Sequence, residues 1–291
     1  MRFNNLGNPT DYGNNIWHAY VYNTRNRDNL LTSNYYGYYT ESLLSYSTLN
    51  RWTNTGTPSS ASGYKGCTVG VDNHTISYKR RGFPCKVYQL NVVRRDDDSK
   101  ALIDGVQVWS VPDWSPNPVA NIWTGVLDAN STIEFVNAEN TGGSNQALDF
   151  IDVTTALNAG LITAPATIVG CTGFNPATIN NGTSASGGSS ASITNGGTTS
   201  YQWKLNGLNI GGATGATYNP SVLSVGTYNY TRVATDRCGS SATSNSITIT
   251  VVADPSTPTI TKSPNSVAVC VGTNITVTSP SNLSSTKKKV K

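Results

Sequence analysis

The stretch RDDDSKALIDGVQVWSVPDW, residues 95–114, places two strand-like runs on either side of a tight turn. In SKALI and VQVW, apolar residues alternate with polar ones, and Asp104-Gly105 lies between the two runs. A period of two is typical of half-buried strands, and Asp-Gly between such runs is a strong hairpin signal. We therefore predict a β-hairpin over residues 99–109, in which the Asp104 side chain stabilises the turn.

The rest of the chain repeats this pattern of short strands and polar turns. Further runs of alternating or β-branched residues lie at 86–93, 131–139, 200–207, 226–235 and 244–252. Hydrophobic residues make up 37% and charged residues 12% of the chain, which is low on both counts for a globular protein. The sequence predicts an all-β protein of the secreted or cell-surface type, with no membrane insertion because no apolar run is long enough.

Composition divides the 291 residues into four segments. Residues 1–153, rich in tyrosine and tryptophan, are predicted to form one β-sandwich, followed by a linker at 154–163. Residues 164–253 are almost free of charge, and their many short strands predict a second sandwich. Residues 254–291 resemble the start of another such repeat, and they end in a basic tail, KKKVK, whose origin the sequence leaves open.

The net charge of +4 does not indicate a nucleic-acid partner. Residues 1–153 carry 12 basic and 14 acidic residues, and residues 154–253 carry three and one. The excess of positive charge therefore comes largely from the tail, and no clustered basic face of the kind that binds nucleic acid is apparent.

The five cysteines favour an oxidising exterior. We expect two disulfides within the predicted domains, Cys67–Cys85 in the first and Cys171–Cys238 in the second, with Cys270 left over. The alternative is that the thiols are free and buried, acting as small hydrophobes.

The second sandwich resembles an immunoglobulin-like domain. The resemblance rests on Trp203 in YQWKLNG, as the core tryptophan of one strand, and on Tyr228 in GTYNY, as a tyrosine-corner residue. Such a form is similar to the tandem repeats of large surface adhesins and gliding-type proteins of Bacteroidota. The resemblance implies a spacer without chemistry of its own.

The first sandwich resembles the protective-antigen-type, lectin-like β-sandwich, of jelly-roll type. The resemblance is carried by residues 95–114 and by TGVLDANSTIEFVNAENTGGSNQALDF at 124–150. In adhesins of this kind an Asp-Asp pair helps to hold calcium, and calcium in turn binds sugar hydroxyls. The resemblance therefore implies a calcium cofactor and a glycan or surface ligand.

By position, the calcium ligands would be Asp96 and Asp97, with Asn140 as a further ligand. Asp98 stands where that family usually has glycine, so it either reshapes the loop or adds a third carboxylate for ligand binding. Calcium prefers six to eight oxygen ligands, which adjacent carboxylates on a tight loop begin to supply. The competing interpretation is a solvated acidic turn balanced by the basic residues beside it.

Aromatic residues supply the remaining candidates. Trp114, between Pro112 and Pro116, is the best candidate for an exposed surface on which a sugar ring stacks, whereas Trp109 on its alternating strand is expected in the core. The tyrosines at 35–39 are predicted either as a binding face or as an interface with a neighbouring subunit.

The sequence favours a non-catalytic protein. Sugar hydrolysis needs two carboxylates at a set separation, but Glu134 and Glu139 are five residues apart on one strand and so face opposite sides. His74 is expected to be a packing residue. Our leading hypothesis is an extracellular adhesin that binds glycans or surfaces. The alternative is a structural subunit of an extracellular filament assembled head-to-tail.

Overall fold

The computed structural model describes residues 6–53, 56–190, 193–257, 261–263, 271 and 274–278. In this part of the chain every extended element is a β-strand, and the helical segments are single 3₁₀ turns at Thr32–Asn34, Thr48–Asn50 and Pro58–Ser60. No helix among these residues has the length and apolar character needed to cross a membrane. The prediction of an all-β fold is confirmed.

Twelve strands build the first sandwich. In chain order they are β1 (Gly13–Asn14), β2 (Trp17–Tyr22), β3 (Tyr35–Glu41), β4 (Tyr46–Ser47), β5 (Lys65–Gly66), β6 (Thr75–Arg81), β7 (Lys86–Arg94), β8 (Asp98–Ile103), β9 (Val106–Val111), β10 (Val119–Leu127), β11 (Thr132–Ala138) and β12 (Ala147–Asp152). One eight-stranded sheet has the order β5-β3-β2-β6-β11-β8-β9, with β1 beside β6. The second sheet has the order β10-β7-β12-β4.

The core of this sandwich lies between the two sheets. Alternate residues of β6 and β11, such as Tyr78 and Phe135, point inward and meet Leu90 and Phe150 of the opposite sheet. Trp17 is fully buried among them. The inward face is thus aromatic and aliphatic, as the period of two in the sequence requires.

The predicted hairpin is confirmed as β8–β9. Ile103 pairs with Val106 across a two-residue turn, in which Asp104 and Gly105 both have positive φ, +50° and +78°. This is the backbone conformation for which Asp-Gly is favoured. The carboxylate of Asp104 also accepts a hydrogen bond of 2.7 Å from the backbone N–H of Thr132, which attaches the turn to β11.

Eight strands build the second sandwich. They are β13 (Ile162–Thr163), β14 (Val169–Cys171), β15 (Asn180–Asn181), β16 (Ser200–Leu205), β17 (Leu208–Asn209), β18 (Gly226–Thr235), β19 (Ser241–Thr243) and β20 (Ile247–Val252). Trp203 is fully buried at its centre, and the Tyr228 hydroxyl donates to the backbone oxygen of Ser224 at 3.0 Å. Both residues act as the immunoglobulin-like pattern implies.

The residues predicted as a linker are partly built into the second sandwich. Asn158 forms a β-bridge with Ser186, and Ile162 is buried in the second core. Among the described residues after 253, β21 (Thr261–Ser263) and β22 (Thr276–Thr278) pair antiparallel, and the further repeat stays a prediction. Cys270 and the KKKVK tail lie outside the described residues.

The disulfide prediction is wrong in its pairing. Cys85 is bonded to Cys238, with a Cα–Cα distance of 5.4 Å, whereas Cys67 and Cys171 are exposed free thiols. The prediction paired cysteines within each domain, but the β6–β7 connection of the first sandwich meets the β18–β19 turn of the second. The bond therefore joins the two sandwiches.

Polar contacts support this joint. Arg237, next to the disulfide, forms an ion pair with Asp128 of the first sandwich, and the backbone N–H of Val126 donates to the oxygen of Thr194 at 2.8 Å. A Cβ at Gly125 would lie 2.7 Å from that same Thr194 oxygen. Glycine at this position thus permits the close approach of the two bodies.

Candidate functional site

Three carboxylates meet where β7 passes into β8. Asp96 and Asp97 form the connection between these strands, and β11 pairs with β8 so that Ala138 lies opposite Asp98. This register brings Glu139, the next residue along, to the Asp96–Asp97 turn. One carboxylate oxygen from each of Asp96, Asp97 and Glu139 lies within 4.8 Å of the other two.

Hydrogen bonds hold this acidic turn in place. The side-chain oxygen of buried Asn137 accepts from the backbone N–H of Asp96 at 3.1 Å and from the Ser99 hydroxyl at 2.9 Å. Asp97 has a positive φ of +35°, and its carboxylate accepts from the backbone N–H of Asn140 at 2.6 Å. Both residues of the Asp96–Asp97 turn are therefore hydrogen-bonded to residues at the end of β11.

The electrostatics of the cluster are unfavourable as it stands. Glu139 is completely buried, and neither of its carboxylate oxygens accepts a hydrogen bond of ordinary geometry from the described residues. Burial, and then the charges of Asp96 and Asp97, raise the pKa of Glu139 to about 8. Burial, followed by the charge of Asp97, raises the pKa of Asp96 to about 6.

Among the described residues, no lysine or arginine forms an ion pair with Asp96, Asp97 or Glu139. The described lysines and arginines that form ion pairs do so with other carboxylates. Buried charges are ordinarily paired or coordinate a metal. A donor set made only of carboxylate oxygens suits a hard cation such as calcium, with the remaining positions filled by backbone oxygens, water or ligand hydroxyls.

Two predicted ligands occupy different places from Asp96 and Asp97. Asp98 begins β8, and its carboxylate pairs with the guanidinium of Arg25 at 3.0 Å. Asn140 contributes its backbone, which donates to Asp97 and accepts from the N–H of Asn73 at 3.1 Å. Both residues therefore support the loop in this structure.

Glu139 is the residue that the sequence analysis did not assign to the site. In the sequence it is a candidate only as a catalytic carboxylate. Its place depends on the pairing of β11 with β8, which lie about 35 residues apart in the chain. The stretch VNAEN ends a strand with a lone acidic residue, and that is the one local feature that pointed to it.

Trp114 is exposed beside this cluster, as predicted. Its side chain is 57% exposed, and it borders a small pocket of about 100 Å³ together with Arg94, Arg95, Ser115, Pro116 and Asn145. The side-chain nitrogen of Asn145 lies 3.5 Å from a carboxylate oxygen of Asp96, so the pocket adjoins the acidic turn. Trp109, by contrast, stacks on Phe135 with ring centroids 6.2 Å apart.

The tyrosines at 35–39 pack largely within the chain. Tyr39 lies in the main core, and Tyr35 forms a smaller buried cluster with Tyr20 and Tyr22 on the outer face of the eight-stranded sheet. His74 is fully buried, and burial lowers its pKa to about 4. A neutral, packed imidazole fits the role expected from the sequence.

Residues 158–253 match a domain of unknown function (DUF8696). These residues are the second sandwich, together with the connection that leads into it, and the first sandwich lies outside the match. No curated protein matches the chain.

Several solved structures are similar to parts of the chain. One is the PA14 domain of the antifreeze protein MpAFP, at 15% identity over 46% of this chain and 80% of that chain, with a TM-score of 0.32. Another comprises the fibronectin(III)-like modules of Clostridium thermocellum CbhA, at 12% identity over 62% of this chain and 85% of that chain, with a TM-score of 0.25.

A third similar structure is a β-glucuronidase from Ruminococcus gnavus, at 11% identity over 89% of this chain and 46% of that chain, with a TM-score of 0.26. PA14 is the family that residues 95–114 resemble, and no comparison points to Bacteroidota surface proteins in particular.

Proposed function

We propose that this chain is a non-catalytic, extracellular glycan-binding protein of the adhesin type that binds sugars through calcium. Asp96, Asp97 and Glu139 would hold the ion, and Trp114 beside them would support the ring of the sugar. The second sandwich serves as a spacer that carries this binding domain.

The observation that carries the proposal is the state of Glu139. A fully buried carboxylate that accepts no hydrogen bond of ordinary geometry from the described residues, close to two further carboxylates, is costly in its ionised form without a cation. A bound calcium ion would supply the missing positive charge. Its preference for six to eight oxygens leaves positions that sugar hydroxyls can fill.

The two glutamates considered for sugar hydrolysis, Glu134 and Glu139, are not brought together. Glu134, the other glutamate of β11, accepts a hydrogen bond from the Ser77 hydroxyl at 2.7 Å and faces Lys79 at 3.6 Å. It is therefore engaged with β6 and is not presented beside Glu139 as the second carboxylate that glycoside hydrolysis needs.

The filament hypothesis placed its interface on the tyrosines at 35–39. Tyr35 and Tyr39 are buried within the single chain. Tyr36 and Tyr38 of the same cluster are half-buried, and filament assembly stays a prediction without a surface assigned to it.

Calcium binding is tested by titration calorimetry on the full chain, with magnesium as a comparison. We expect saturable binding of calcium that is lost in Asp96→Asn and in Asp97→Asn. Asp98→Asn is the matched control, because Asp98 is the adjacent carboxylate and pairs with Arg25 instead. Equal loss in all three variants, or unchanged binding in the first two, would contradict the proposed site.

Sugar binding is tested separately on a glycan array with calcium and with a chelator. We expect retention of at least one glycan class only with calcium. Trp114→Ala is expected to remove that retention and to leave calcium binding intact, because the indole is exposed and holds no part of the ion site. Strong retention in chelator would refute the calcium-dependent mechanism.

A further inference from the structure

The pocket beside the acidic turn is bordered by two arginines without carboxylate partners. Arg25, Arg27, Arg51 and Arg237 each form an ion pair with an acidic side chain. No such pair is present for Arg94 or Arg95 within the described ranges.

Arg95 is fixed in place by its backbone and its side chain. It forms a β-bridge with Ser115, and its guanidinium donates to the backbone oxygen of Asp113. Its Nε is buried without an acceptor in the described part of the chain. Arg95 thus holds the 113–116 loop, which carries Trp114, against the end of β7, and it keeps further N–H donors for another acceptor.

From these contacts we infer that the glycan recognised at this site is anionic, with its carboxylate or sulfate group bound by Arg94 and Arg95. This inference rests on the proposed function, since it assigns the class of sugar to the same site. Guanidinium groups bind carboxylate and sulfate oxygens through paired N–H donors, and such charge-assisted bonds are among the stronger ones in proteins.

The local balance of charge agrees with an acidic ligand. Three carboxylates and one calcium ion leave about one negative charge at the turn, and the two guanidinium groups bring the region to a net positive charge. Asn145 contacts Asp96 and also borders the pocket. One sugar residue therefore reaches the calcium ion with its hydroxyls and the arginines with its acidic group.

The pocket has room for the acidic group and little more, since its volume is about 100 Å³. Arg94 also borders a larger groove of about 580 Å³, which includes Ser47, Asn50 and Ala147. The groove shares Arg94 with the pocket, and its two carboxylates are already engaged, Glu41 with Arg51 and Asp149 with the Ser45 hydroxyl. Neighbouring sugars that extend past Arg94 would enter this groove, so an oligosaccharide is expected to bind more tightly than a single acidic sugar.

The experiment uses the full chain in calcium with paired polysaccharides. The acidic probes are polygalacturonate, hyaluronan and heparin, and the neutral probes are galactan, dextran and xylan. We expect binding to at least one acidic probe, and we expect oligosaccharides of that probe to bind more tightly as they lengthen. Polygalacturonate and hyaluronan carry carboxylates alone, whereas heparin adds sulfates, so the preferred probe separates the two acidic groups.

The variant Arg94→Gln/Arg95→Gln tests the role of the pocket. We expect it to weaken acidic binding at least about tenfold and to leave calcium affinity within about twofold. Arg81→Gln/Lys65→Gln is the matched control, because it removes the same charge from exposed positions on β6 and β5. An equal loss in the control would show non-specific attraction and would overturn the inference.

The outcomes separate this inference from the proposed function. Calcium-dependent binding of neutral probes, equal to that of acidic ones, would overturn the anionic specificity and leave the proposed function standing. Binding of no probe at all would overturn both. Acidic binding that needs the arginines but persists in chelator would support the pocket and refute the calcium mechanism.

Discussion

Calcium binding should release protons, and the number released follows from the buried carboxylates. The pKa of Glu139 is raised to about 8 and that of Asp96 to about 6. At pH 7 the ion-free site therefore carries about 0.9 proton on Glu139 and about 0.1 on Asp96. Ligation requires the ionised carboxylates, so binding at pH 7 releases about one proton.

The same values fix the pH dependence of affinity. Between pH 6 and pH 8 each unit of rising pH should strengthen calcium binding by up to about tenfold, because calcium competes with one proton on Glu139. Below pH 6 Asp96 is protonated as well, and the dependence on pH should become steeper. Above about pH 9 the affinity should level off. The number of protons released per bound calcium ion should fall to about 0.1 at pH 9.

The stability of the ion-free protein should change in the opposite direction. The folded-state pKa of Glu139 is raised above its ordinary value. The contribution of Glu139 to the free energy of unfolding is therefore fully present below about pH 4.5 and is lost as pH rises through about 8. Calcium should therefore raise the melting temperature more at pH 8.5 than at pH 6.

Titration calorimetry in two buffers of different ionisation enthalpy measures the released protons directly. Glu139→Gln is the matched variant, because it keeps the shape of the side chain and removes the titrating group. It should weaken calcium binding and abolish most of the proton release. Tight calcium binding with no proton release at pH 7 in the unaltered chain would refute this reasoning.

Three further predictions concern the scaffold. Cys85→Ser/Cys238→Ser removes a disulfide between residues 153 apart in sequence. This double variant should lower the free energy of unfolding by about 2–5 kcal/mol in guanidinium titrations. An unchanged unfolding midpoint would contradict this prediction. Arg232 is fully buried and donates to four oxygens of the second sandwich. Arg232→Ala should therefore lower the free energy of unfolding by at least about 3 kcal/mol in the same assay. A loss below about 1 kcal/mol would show that these hydrogen bonds contribute little. Tyr228→Phe removes the hydrogen bond to Ser224 and should cost about 1 kcal/mol in thermal unfolding followed by circular dichroism, with no loss of folding.

Local patterns predicted the local structure well. The hairpin at Asp104-Gly105 followed from residues adjacent in sequence, since only a few residue types adopt the positive φ that its turn requires. Trp203 and Tyr228 likewise marked the second sandwich, because a buried tryptophan and a corner tyrosine have recognisable surroundings along the chain.

Features that depend on distant segments were not predictable in this way. The Cys85–Cys238 bond depends on how the two sandwiches meet, and neither sequence surroundings nor spacing reveals that contact. Glu139 reaches the Asp96–Asp97 turn only through the pairing of β11 with β8. The alternation of a strand indicates which residues share a face, but it does not identify the neighbouring strand.

The bond between Cys85 and Cys238 also determines how a pulling force travels through the molecule. A load applied at the Asp96–Asp97 turn and drawn off after β20 has a short covalent route, through β7 to Cys85, across to Cys238 and along β19 and β20. The strands β8–β18 are not on this route. The 153 residues of sequence separation between the cysteines correspond to an extended length of order 500 Å. The disulfide prevents this part of the chain from extending under tension. A chain held at that turn and pulled after β20 would thus extend little, even where individual strands lose their pairing.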